Sequence, residues 1–109
     1  ILKKENINFL SCFPSTSLIE SCAKINIKPI ICRQERIGVA IADGISRSTG
    51  GKQIGVFAMQ GGPGAENSFP GAAQSFADNV PVLLIPGGES LKKSFISPNF
   101  KTFRSPIIS

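Results

Sequence analysis

The chain has 109 residues, 41% of them hydrophobic, a formal net charge of +5, and no histidine, tryptophan or tyrosine. That length bounds it to one domain with a modest core, and the missing histidine excludes Ser-His and Cys-His nucleophile pairs. No apolar run is long enough for a membrane span, and basic residues scattered as Lys3, Lys24, Arg33, Arg47 and Lys52 do not make a nucleic-acid groove. A loose basic tail of Lys92, Lys93, Lys101 and Arg104, with Phe95, Phe100 and Phe103 among them, reads as solvated surface.

In chain order, residues 8–13 (NFLSCF) read as a strand stopped by Pro14. Ser15 or Thr16 then caps a helix over residues 17–25, with Leu18, Ile19, Cys22 and Ile25 on one face. Residues 29–32 form a second strand and residues 35–47 a second helix. The apolar positions of that helix, Ile37, Ile41 and Ile45 with Ala40 and Gly44, recur at helical spacing. Arg36, Asp43 and Arg47 fall opposite, Asp43 and Arg47 as an i,i+4 pair, and Gly50-Gly51 ends the helix. Residues 54–59 are continuously apolar, which predicts a strand covered on both faces. A third helix carries Phe69, Ala72, Ala73 and Phe76 on one side. Pro70 either lies in its first turn, with the helix starting near Ser68, or kinks it. Residues 82–85 make a fourth strand, entered through Pro81 and left through Pro86-Gly87-Gly88. The domain therefore spans residues 1–88, and residues 89–109, which have no period, read as a connecting segment. The first residue is Ile1 rather than methionine, and the chain is expected to be a piece of a longer one.

Cys12, Cys22 and Cys32 recur every ten residues, a spacing that matches no metal motif. They are expected to be buried, reduced and inert, as in a cytoplasmic protein.

Strand and helix alternating in this way predict an α/β fold, a three-layer parallel sheet with helices on both faces. Ligands of such sheets bind beyond the carboxyl ends of the strands. Phe13-Pro14, Gln34-Glu35, residues 60–67 (QGGPGAEN) and residues 86–88 all fall there. Glu35 has two readings: a first-turn glutamate favoured by the helix dipole, or a carboxylate facing a ligand. The 60–67 turn is likewise either a structural turn or a binding loop whose glycines admit a ligand close to the backbone. Gly62, Gly64 and Asn67 match G-x-G-x-x-G only loosely, and Pro63 removes a donor. A nucleotide-binding module would use Gly62 and Gly64 for phosphate and Glu89 for a ribose hydroxyl, leaving Arg33-Gln34-Glu35 without a purpose.

Four elements in order carry a further signal: Arg33-Gln34-Glu35; ADGISRSTG at 42–50; GPGAEN at 62–67; and DNVPV at 78–82. Together they resemble the N-terminal pyrimidine-binding domain of thiamine-diphosphate-dependent enzymes, the acetolactate synthase group above all. The resemblance implies the thiamine-diphosphate-binding fold and an enzyme acting on 2-oxo acids, carboligating pyruvate. A decarboxylase or oxidase of the same family is the alternative, and a non-catalytic remnant serving as an assembly surface is a further one. It also implies that Glu35 activates the cofactor by bonding a ring nitrogen of its aminopyrimidine, so that the ring takes the proton from the thiazolium carbon. Pro14, Pro63 and Asn67 match positions that contact the pyrimidine. Magnesium and the diphosphate are bound by a domain absent from this chain, and FAD is left open. The implied assembly is a cytoplasmic homodimer or homotetramer with its active site between subunits. The chain alone then holds half a site and is expected to be inactive. Gly88 stands where acetolactate synthases usually carry glutamine, and Phe100 is followed by Lys101 rather than glutamine.

Overall fold

The computed structural model describes residues 1–14 and 16–88. Ser15, Glu89, the basic tail and the connecting segment of 89–109 lie outside the described residues. Four strands and three helices alternate: β1 (Phe9–Cys12), α1 (Thr16–Lys24), β2 (Lys28–Ile31), α2 (Glu35–Ser48), β3 (Gly55–Met59), α3 (Pro63–Ala77) and β4 (Val82–Pro86). The strands form one sheet in the order β2-β1-β3-β4, and every pairing is parallel.

Strand order and handedness place the helices. The chain steps outward from β1 to β2, then returns past β1 to β3 and continues to β4. Right-handed crossovers then put α1 on one face and both α2 and α3 on the other. The two apolar clusters match. Leu10, Cys12, Val56 and Ala58 meet Cys22, Leu18 and Ile19 of α1 on the first face. Phe57 and Met59 meet Val39 and Ala42 of α2 and Ala65 of α3 on the second. All five residues of β3 are buried, as its unbroken apolar run predicts. Burying Phe57 and Val56 completely contributes about 1.5–3 kcal/mol each. The three cysteines are free and buried, and burial raises each thiol above its ordinary value.

All three helices stop by one device. Asn26, Gly50 and Asn79 take positive φ just past the helix ends. Ile27, Gly51 and Val80 then donate back to the carbonyls of Cys22, Ser46 and Ser75. This is the Schellman arrangement, which satisfies carbonyls the helix itself leaves unpaired.

The helix faces differ from the periodic reading. In α2 the buried face is Glu35, Gly38, Val39, Ala42, Asp43 and Ser46, while Ile37 is 45% exposed. In α3 it is Gly64, Ser68 and Ser75, while Phe69 and Phe76 are 46% and 86% exposed. Ile25, placed on the buried face of the first helix, lies past its end and is half exposed. The reason for the inverted α2 and α3 faces is distance. A Cβ on Gly38 would sit 2.0 Å from the Phe57 ring, and one on Gly71 would sit 2.8 Å from Val39 Cβ. Where α2 lies this close to the sheet and to α3, only small side chains fit between them. α3 also begins at Pro63 rather than near Ser68, with Pro63 at the first helical position and Pro70 inside.

Asp43, placed on the polar face by its spacing, is buried. It accepts from Arg47 Nε at 2.8 Å and from Ser75 Oγ at 2.8 Å, and Arg47 Nη2 reaches Asp78 at 2.9 Å. The bond from Arg47, above all, and that from Ser75 hold the Asp43 carboxyl below its ordinary value of 3.8, against the opposing effect of burial. A carboxylate whose native value is depressed adds stability above its unfolded value and loses it as the pH falls through the native one. Asp43→Asn should therefore destabilise the fold by about 1–2 kcal/mol near pH 7. The difference from wild type should shrink below pH 3.8; urea unfolding across pH measures both.

Candidate active site

Because all four strands are parallel, their carboxyl ends share one edge. Backbone bonds lock the roots of the four following loops in a row. Cys32 N–H donates to Cys12 O at 2.9 Å, Phe13 N–H to Ala58 O at 3.0 Å, and Gly87 N–H to Met59 O at 2.8 Å. The row includes the point between β1 and β3 where the strand order reverses, the usual ligand crevice of such sheets.

Glu35 opens α2 directly behind β2, after Gln34, whose extended backbone ends the loop. A first-turn glutamate usually lies in solvent, but this one is 7% exposed. It faces the first turns of α3, where Asn67 Nδ2 donates to Glu35 Oε2 at 2.8 Å. A Cβ on Gly64 would stand 3.1 Å from Glu35 Oε1, so a side chain at that position would press on the carboxylate. The amino-terminal turns of two helices thus flank one carboxylate. Cys32 lies close by. Its thiol is raised chiefly by burial and further by the charge of Glu35.

The 60–67 stretch resolves into two parts. Gln60, Gly61 and Gly62 form the turn, and Gly62 adopts φ 60 and ψ −120, open to glycine and strained for other residues. Residues from Pro63 onward are helix. A Cβ on Gly61 would fall 2.2 Å from Gly87 O, so the turns after β3 and β4 pack backbone to backbone. Pro14 and Pro63 are exposed at the ends of β1 and of this turn. Of the four residues singled out from sequence, Glu35 and Asn67 are in contact, and the two prolines stand at the same edge. Gly64, one of the glycines that the binding-loop reading sets against a ligand, has Glu35 as its nearest acidic neighbour. The signal for this was the spacing of Gly64 and Asn67, which share a face once the helix starts at Pro63. Among the described residues no cluster of three or more His, Cys, Asp or Glu side chains could hold a metal ion.

Residues 1–97 match the family model of the thiamine pyrophosphate enzyme N-terminal TPP binding domain. The chain belongs to this family. The thiamine pyrophosphate enzyme domain described here is similar to the acetolactate synthase large subunit of Haemophilus influenzae, with 31% identity over 79% of this chain and 15% of that protein. It is also similar to the isozyme 3 large subunit of Escherichia coli acetolactate synthase, with 36% identity over 56% of this chain and 10% of that protein. The chain thus spans a small part of the relatives it matches. Benzoylformate decarboxylase from Polynucleobacter necessarius shares the fold, with a TM-score of 0.76, 21% identity, and coverage of 93% of this chain and 19% of that one. A Mycobacterium smegmatis protein assigned as a thiamin diphosphate-dependent enzyme shares it too, with a TM-score of 0.78, 17% identity, and coverage of 93% and 20%.

Proposed function

We propose that this chain is the pyrimidine-facing half of the active site of a thiamine-diphosphate-dependent enzyme that acts on 2-oxo acids, joining pyruvate units as an acetolactate synthase does. The observation that carries the reading is the buried Glu35 carboxylate at the sheet edge, held by Asn67 and left clear by Gly64. The residues present fit a flat ring bearing nitrogens. Glu35 offers a carboxylate able to share a proton with a ring nitrogen. Pro14 and Pro63 offer rigid walls without N–H groups, and the glycines of the turn leave room for an aromatic face.

Thiamine diphosphate, when bound, supplies the nucleophilic carbon and the electron sink for loss of carbon dioxide. The chain's own part is to orient the ring and to hold a proton at the Glu35 carboxylate, whose own burial limits its contact with solvent. Magnesium and the diphosphate belong to a domain beyond residues 1–88 and its connector 89–109. The two halves meet between subunits of a cytoplasmic homo-oligomer.

Calorimetric titration of the full-length protein tests this. Thiamine diphosphate with magnesium should bind, NAD should not, and pyruvate should yield acetolactate. Acetaldehyde or acetate instead would assign the protein to the decarboxylases or oxidases of the family, and failure to bind thiamine diphosphate would overturn the reading altogether.

A further inference from the structure

The interface of α2 and α3 is a ladder with two rungs in register. Asn67 bonds Glu35 and Ser75 bonds Asp43, each pair 32 residues apart in sequence. The small residues Gly64, just before the first rung, and Ser68 and Gly71, between the two, let the helices approach. Asn67 is an unusual choice for this place. It lies within a helix, where asparagine is among the less favoured residues and tends to bond nearby backbone. It is exposed and fills no gap in the core. Its recorded bond goes instead to one carboxylate oxygen of Glu35. With Oε2 occupied by Asn67 and no side chain at Gly64 to crowd Oε1, Oε1 is the oxygen the carboxylate has to offer.

We infer that Asn67 is a positioning residue. Although the resemblance sets Asn67 against the pyrimidine itself, it acts through Glu35, occupying Oε2 so that Oε1 addresses the ring. This rests on the function proposed above. The titratable neighbour of Glu35 is Cys32 at the end of β2, while Arg33 and Arg36 beside it in sequence are exposed and Glu66 lies on the exposed side of α3.

Two variants of similar size, Asn67→Leu and Asn67→Asp, test the inference in the full-length enzyme. Asn67→Leu removes the donor. It should lower kcat by roughly 10- to 100-fold, as expected for one bond to a charged group, with KM for pyruvate changed by less than about threefold. Asn67→Asp places a second carboxyl on Glu35, and two carboxylates that close share one proton. The acidic limb of the kcat/KM profile, and the pH dependence of thiamine diphosphate affinity read by calorimetry, should both move up by about one unit or more. A side chain at position 67 that did not meet Glu35 would shift neither.

An unmoved pH profile in Asn67→Asp overturns the inference. So does a cofactor affinity weakened by about 100-fold in Asn67→Leu at an unchanged profile, the mark of direct ligand contact. Glu35→Gln separates the two levels. If the acidic limb survives there, the role of Glu35 fails and the inference with it. If it vanishes there but stays put in Asn67→Asp, only the positioning role of Asn67 fails.

Discussion

Glu35→Gln in the full-length enzyme should lower turnover of pyruvate by roughly 10²- to 10⁴-fold, the usual worth of a positioned acid or base. The two side chains have nearly the same shape. Glutamine can keep its carbonyl oxygen toward Asn67 Nδ2, so the bond that Glu35 now accepts at 2.8 Å survives. The buried position stays filled, and the melting temperature should stay within a few degrees of wild type. What glutamine cannot do is take up and return a proton. Loss of rate with retention of fold therefore reports chemistry rather than packing. Steady-state kinetics beside thermal unfolding of the same samples makes the comparison. Turnover within a factor of about two of wild type would leave Glu35 as a first-turn glutamate favoured only by the dipole.

The order of elements was legible because the strands announce themselves. VFAM in β3 is unbroken apolar sequence, and its burial on both faces follows from having helices above and below. Alternation with helices then implies the parallel sheet, and the parallel sheet alone brings Pro14, Glu35 and the glycine-proline turn to one edge. The helix faces were not legible, for a physical reason. Periodicity finds large apolar residues, but the closest contacts in this molecule need small ones. Ile37 and Phe76 are pushed outward because Gly38, Gly64, Gly71 and the serines have taken the inner face. Asp43 was misplaced for a different reason. A carboxylate reads as surface unless its partners are known, and Ser75 comes from a different helix. The asparagines that end α1 and α3 could have been recognised, since asparagine tolerates the left-handed region almost as glycine does. The start of α3 was hidden by its own composition. Gly-Gly-Pro-Gly reads as a turn, and only Pro63 at the first helical position, where its missing N–H costs nothing, turns the stretch into a helix.

Gly55→Ala should destabilise the domain severely. Gly55 opens β3, and an added Cβ would fall 1.8 Å from the carbonyl oxygen of Ala42 and 2.4 Å from its carbonyl carbon. Neither atom belongs to a side chain that can swing away. Both are backbone in the middle of α2, so the helix itself would have to lift from the sheet. Two further contacts hold it down. Gly55 N–H donates to Ser46 Oγ at 2.7 Å, and Ser46 Oγ donates in turn to Pro81 O at 2.5 Å, tying α2, β3 and the entry to β4 together. A shift of α2 would also carry Glu35 away from Asn67 at the far end of the same helix. Overpacking a core ordinarily costs about 1–3 kcal/mol, and with the backbone unable to relax the cost here should reach about 3 kcal/mol or more, a large share of the roughly 5–15 kcal/mol that holds a domain folded. Gly44→Ala on the same helix is the matching control. A Cβ there meets nothing within 4 Å, so alanine should stabilise α2 by about 0.5–1 kcal/mol through helix propensity alone. Denaturant unfolding of the two variants should therefore move in opposite directions. If Gly55→Ala unfolded at the wild-type midpoint, α2 would not lie against β3 as closely as the structure has it, and the placement of Glu35 at the sheet edge would lose its mechanical basis.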